Sequence, residues 1–238
     1  MKQAEITNHE SRITNPPRAV VLLSGGVDSS TCLLLAREAG FDVHALSFDY
    51  GQRHRVELDA ARAVAERYGV RAHRIVAVDL PGAASSALTD ASLAVPKNSL
   101  GRDAIPITYV PARNALFLAH AISWAESIDA ADVYIGANAL DYSGYPDCRP
   151  EFLEAFERMA NLGTRAGVEG RLAFRIRAPL LHMTKAQIVA EGSRLGLDFR
   201  LTSSCYDPAP DGRPCGACDS CLLRIKGFRE AGLNDPGV

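Results

Sequence analysis

Short apolar runs alternate along the chain with segments whose apolar residues recur every three or four positions. Ala19-Val20-Val21-Leu22-Leu23 is the first run, and its length and branched residues predict a buried strand. Cys32-Leu33-Leu34-Leu35-Ala36 falls in a segment predicted to be helical to about Gly40, and Val43 to Phe48 reads as a second strand. Ala61, Val64, Ala65 and Tyr68 stand at i, i+3, i+4, i+7 spacing, with Gly69 placed to end that helix. Ala72 to Val78 predicts a strand, Asn114 to Ser127 a helix, Asp132 to Gly136 a short strand and Arg149 to Leu162 a helix. Leu172 to Ile176 completes the strands. Thr184-x-x-Gln187 has the form of a capping box, opening a helix with Ile188 and Leu195 on one face and Gly196 near its end.

Strand and helix thus alternate, which predicts an α/β fold: an open, mainly parallel five-stranded sheet with helices on both faces. Ligands in such sheets gather at the carboxyl ends of strands. Residues Leu80 to Ile105 are rich in Ala, Ser, Pro and Gly and read as a mobile insertion over that end. Residues 1–17 are polar, close on Pro16-Pro17 and are expected to be a disordered tail. The main domain is expected over 18–200, with a C-terminal metal-binding loop and helix over 201–231 packed on it.

Composition narrows the class. The 238 residues are 47% hydrophobic, enough to bury one full core. With 26 Lys plus Arg against 28 Asp plus Glu, the net charge of −2 gives no global case for nucleic acid. No apolar stretch approaches a membrane span, and the first residues lack a signal-peptide apolar region, so a cytoplasmic location is expected.

Chemistry concentrates first at Ser24-Gly25-Gly26-Val27-Asp28-Ser29-Ser30, where the first strand runs directly into the first helix. Two glycines let the backbone turn and approach an anion closely, and the helix start offers free N–H groups and its positive dipole end. Ser24, Ser29, Ser30 and Thr31 add hydroxyls. No lysine stands near, so this is not the common nucleotide loop ending in Gly-Lys-Ser/Thr. A carboxylate at Asp28 beside phosphate calls for an intervening cation, and Mg²⁺ is expected there.

The second concentration is at the C-terminus, where Cys205, Cys215, Cys218 and Cys221 form C-x9-C-x2-C-x2-C. Four thiolates at these intervals can close a tetrahedral site around one Zn²⁺. An iron–sulfur cluster or sulfur-transferring cysteines are the competing uses. Cys32 reads as a small core residue.

S-G-G-x-D-S resembles the pyrophosphate loop of the PP-loop ATP pyrophosphatase superfamily, whose members cleave ATP between the α and β phosphates. Three further segments narrow the likeness: Asp49-Tyr50-Gly51-Gln52-Arg53-His54, Tyr109-Val110-Pro111-Ala112-Arg113-Asn114, and Asp141-Tyr142-Ser143-Gly144-Tyr145-Pro146-Asp147-Cys148-Arg149. Together with the four cysteines, from about Arg18 to Phe228, they resemble the 7-cyano-7-deazaguanine synthase (preQ0 synthase) family of queuosine biosynthesis. That resemblance implies an adenine nucleotide alpha hydrolase-like (HUP-type) fold, with 7-carboxy-7-deazaguanine, ammonia and ATP as substrates. It implies ATP binding by Leu23, Ser24, Gly25, Gly26, Val27, Asp28, Ser29, Ser30, Thr31, Cys32 and Leu33. Asp28, Arg113 and His54 are the candidate catalytic residues, and Asp141, Tyr145, Asp147 and Arg149 the candidates for gripping the deazaguanine. The cysteines would hold zinc. A homodimer is the expected assembly, without nucleic acid or membrane.

Overall fold

The computed structural model describes residues 15–80, 85–100, 105–140 and 145–237. Five parallel strands form one sheet: β1 (Arg18–Leu22), β2 (Asp42–Asp49), β3 (Ala72–Ala77), β4 (Asp132–Tyr134) and β5 (Arg175–Arg177). Their order is β3-β2-β1-β4-β5. The chain therefore builds outward from β1 in one direction and then returns to build in the other. That reversal leaves a crevice beyond the carboxyl ends of β1 and β4, the usual ligand position in such sheets.

The helices are α1 (Val27–Glu38), α2 (Val56–Arg67), α3 (Arg113–Ser127), α4 (Pro150–Gly163), α5 (Arg165–Val168), α6 (Lys185–Arg194) and α7 (Asp219–Glu230). Side chains of a strand alternate between faces, and β1 shows why its continuous apolar run is needed. Val20 and Leu22 enter a core with Leu118, Ile122 and Trp124 of α3 and Leu153 and Phe156 of α4. Ala19 and Val21 enter a second core with Leu33 of α1, Val64 of α2, Ile188 of α6 and Phe228 of α7. The capping box of α6 is formed: Thr184 Oγ1 accepts from the Gln187 amide at 3.3 Å, and Gln187 Oε1 accepts from the Thr184 amide at 2.8 Å. No described helix is long and apolar enough to cross a membrane.

Two expectations are corrected. The last strand begins at Arg175 rather than Leu172, because the Asn161 side chain occupies the backbone of Phe174, accepting from its N–H at 2.8 Å and donating to its carbonyl at 2.9 Å. The described residues of the insertion do not lie over the site. Ala87, Leu93 and Val95 pack against Cys205, Cys218 and Cys221, and Lys97 makes an antiparallel bridge to Cys218. None of its described residues lines the crevice.

Candidate active site

The loop after β1 forms the floor of the crevice. Gly25 has φ +84°, and a Cβ there would stand 2.4 Å from the Glu57 carbonyl oxygen, so only glycine lets the loop lie against α2. Ser29 Oγ accepts from the Ser24 amide at 3.1 Å and lies 3.0 Å from Ser24 Oγ, which draws the turn closed. Gly26 precedes α1 with no side chain capping the helix. Its first amides and the positive end of its dipole are thereby left for an anion. The Ser203 amide donates to the Gly25 carbonyl at 3.0 Å and clamps the loop from the far end of the chain.

Asp28 has a partner that the sequence did not reveal. Lys185 Nζ lies 2.7 and 2.8 Å from its two carboxylate oxygens, with both side chains largely buried. The first residue of α6 thus sets an ammonium beside Asp28. A lysine does serve the loop, from 157 positions away.

Other implied nucleotide residues separate into two groups. Leu23, Ser24, Gly26, Val27, Asp28 and Ser29 line the crevice. Ser30, Thr31, Cys32 and Leu33 are fully buried and stand behind the loop, away from the crevice lining. Burial pushes the Cys32 thiol upward, with the Asp28 charge adding to it, as expected of a core cysteine.

Around the floor stand aromatic and cationic walls. Arg113 opens α3, donates to Tyr50 Oη at 3.1 Å, and makes no ion pair with a carboxylate among the described residues. Burial works against its charge, but Tyr50, Tyr145, Tyr206 and Asp147 more than offset this and hold it protonated. Burial also pushes the Tyr50 phenol up to about 12. Phe117 stacks on Phe48 with ring centroids 3.9 Å apart, and Tyr145 Oη lies 2.8 Å from Thr108 Oγ1. His54 Nε2 meets Glu57 Oε2 at 3.1 Å, while Gln52 Nε2 donates to Glu57 Oε1 at 2.9 Å. The imidazole is thereby held in one orientation at the crevice wall.

Of the three deazaguanine candidates among the described residues, Tyr145 alone lines the crevice. Asp141 lies outside the described residues. Asp147 is buried and turned toward α3, where its carboxylate accepts from the Asn114 amide at 2.9 Å. This carboxylate does the work of a helix cap, because Ala112 at the cap position offers no side-chain acceptor. Arg149 is exposed at the start of α4, off the crevice. Lys185, Glu57, Tyr206 and Arg224 also line the crevice and were not singled out from sequence. Only Glu57 carried a local signal, three residues after His54 on a helix start.

The four cysteine sulfurs lie within 4.8 Å of one another. Backbone amides of Asp207 and Cys215 donate to Cys205 Sγ at 3.3 and 3.2 Å, and the Cys218 amide donates to Cys215 Sγ at 3.3 Å. Such N–H···S contacts favour thiolates, and four thiolates this close require a cation between them. The cluster can hold a metal.

The family model described as queuosine biosynthesis protein QueC matches residues 18–232. The chain belongs to the QueC family. The 7-cyano-7-deazaguanine synthase of Solidesulfovibrio magneticus is 61% identical over 225 residues, covering 93% of this chain and 95% of that protein. That of Syntrophotalea carbinolica is 59% identical over 221 residues, covering 93% and 96%. Among solved structures, NMN synthetase from Francisella tularensis aligns with TM-score 0.49 and 17% identity over 92% of this chain and 88% of that one. The QueC match spans the glycine loop, His54, Arg113, Tyr145, Lys185 and all four cysteines.

Proposed function

We infer that this QueC chain uses ATP to convert 7-carboxy-7-deazaguanine and ammonia to 7-cyano-7-deazaguanine in queuosine biosynthesis. The observation that carries this is the uncapped start of α1, which opens into the same crevice as Arg113 in a chain matching the family over residues 18–232. A carboxylate is a poor electrophile because its leaving group would be an oxide. Adenylation removes that obstacle. The substrate carboxylate attacks the α-phosphate and expels pyrophosphate, and ammonia then displaces AMP from the acyl-adenylate to leave the amide. A second ATP adenylates the amide oxygen, and loss of AMP with the remaining N–H proton gives the nitrile.

In this reading Ser24, Gly25, Gly26, Asp28 and Ser29 receive the phosphates at the helix start. The Lys185 ammonium offsets the Asp28 charge that would otherwise repel them. Arg113 sits with donors turned to the crevice to steady the α-phosphate or the leaving pyrophosphate. His54, held by Glu57, takes the proton that ammonia sheds. Tyr145 provides a face for the deazaguanine. Mg²⁺ would accompany ATP and neutralise its phosphate charge, with Asp28 the residue that would hold it. Cys205, Cys215, Cys218 and Cys221 would hold zinc as a structural cross-link. We read the enzyme as a cytoplasmic homodimer, an assembly that light scattering of the purified protein tests.

Mass spectrometry of the product from the free acid, ammonia and ATP tests the reaction. The expected result is the nitrile with AMP released, abolished by Ser24→Ala. ATP binding without pyrophosphate release overturns the assignment, and accumulation of amide alone overturns the second adenylation. A brown protein with visible iron–sulfur absorption would overturn zinc.

A further inference from the structure

Gly227 is where α7 comes closest to the start of α6. A Cβ there would stand 2.3 Å from Lys185 Cγ, 3.0 Å from its Cβ and 3.1 Å from its carbonyl carbon. These atoms are the root of the side chain and the backbone, which cannot swing aside as a chain end can. The Lys185 stem therefore runs across the bare backbone of α7 on its way to Asp28. Glycine inside a helix costs about 1 kcal/mol relative to alanine, so its place in the middle of α7 has a packing reason.

The same helix is tethered at its start by the sulfur cluster, with Cys218 at the cap and Cys221 in the first turn. Midway, the buried Arg224 donates to the Phe199 and Thr202 carbonyls and to both oxygens of Asp235. Ser203, next to Thr202, clamps Gly25. From Cys221 to Gly227 the helix rises about 9 Å at roughly 1.5 Å per residue. One rod of under two turns thus joins the cysteine cluster, the segment that clamps the loop, and the lysine that neutralises Asp28.

We propose that Gly227 is a positioning residue for Lys185, and that metal held by Cys205, Cys215, Cys218 and Cys221 acts through α7 on the ATP loop. With the cluster tied, α7 is fixed and the ammonium is seated on Asp28. With the cluster untied, the first turn of α7 loosens and the loop loses its counter-charge. The proposal rests on the reading that this loop binds ATP.

Calorimetric ATP binding by the full chain tests it, with metal-loaded and chelator-stripped protein in four forms: wild type, Gly227→Ala, Lys185→Ala and the double variant. Gly227→Ala is expected to bind ATP at least tenfold more weakly while its metal content stays at the wild-type level. Stripping the wild type is expected to produce a loss of the same order. In the Lys185→Ala background neither change should weaken binding further, because both act through that side chain. Equal additional losses in that background would make Gly227 merely structural and overturn the proposal, as would wild-type affinity in Gly227→Ala or in stripped wild type. Hydrogen exchange over residues 24–30 reads the same effect without relying on affinity, and should quicken on stripping. If Gly227→Ala fails to fold, exchange in stripped wild type decides: unchanged rates overturn the coupling. Absence of ATP binding by the loaded wild type would sink the ATP reading together with this proposal, whereas normal binding insensitive to Gly227 sinks the proposal alone.

Discussion

Replacing Lys185 with methionine isolates the ion pair beneath the glycine loop. Methionine keeps most of the stem and its apolar contacts, so little of the effect arises from a cavity. What remains is a carboxylate stripped of its partner. Removing one member of a fully buried pair costs about 3–5 kcal/mol. The Asp28 side chain keeps 17% of its surface against 9% for Lys185, so water partly compensates the stranded charge. The lower end applies, about 3 kcal/mol. In a chain of this size that corresponds to a fall of roughly 6–12 °C in Tm. Adding Asp28→Asn removes the stranded charge and should return the double variant to within about 1 kcal/mol of wild type. Urea unfolding and thermal scanning of the metal-loaded protein measure both values. A loss below about 1 kcal/mol for Lys185→Met, or a double variant no more stable than the single, would refute the ion-pair reasoning.

Three further outcomes are expected. Asp147→Ala takes the acceptor from the start of α3 and should cost about 1–2 kcal/mol, with turnover falling because Arg113 opens that helix; Asp147→Asn should restore part of both. Ala112 holds a left-handed backbone with φ 53°, so Ala112→Gly should raise stability by about 1 kcal/mol in urea unfolding. Burial pushes the Cys148 thiol from its ordinary 9.0 up to about 12. Between those values the unfolded chain has lost the proton that the folded chain keeps, so stability should fall as pH rises from about 9 to about 12. Cys148→Ala should flatten that alkaline decline in urea midpoints, and an unchanged slope would show that other groups govern it.

The central strands were legible because burial on both faces demands continuous apolar runs, and β1 and β2 follow that pattern. β5 was misplaced because Leu172-Ala173-Phe174 is as apolar as a strand, while its backbone is taken by a side chain of α4. α7 left a weaker signal, since its buried face is built from Ser220, Cys221, Arg224 and Gly227 as much as from Leu223 and Phe228. Local chemistry at the glycine loop and cysteine cluster could be read because the residues are neighbours in sequence. The Asp28–Lys185 pair could not, since the capping box locates α6 along the chain without saying which strand end it faces. Asp147 was legible only as a carboxylate in a polar loop, because the helix start it caps lies 33 positions away in sequence.

The docking of the insertion on the cysteine segment also sets an order on how the protein is made. Ser99 donates to Asp219 across 120 positions, and Lys97 bridges to Cys218 at similar range. At about 5–20 residues per second of synthesis, the insertion waits roughly 6–24 s for its partner to be made. During that interval Ala87, Leu93 and Val95 have no surface to cover them, and the glycine loop lacks both its Ser203 clamp and Lys185. A nascent chain should therefore carry an exposed apolar segment and an incomplete nucleotide loop until its last fifth leaves the ribosome. Ligand binding arrives in one late step, after the sheet is already built.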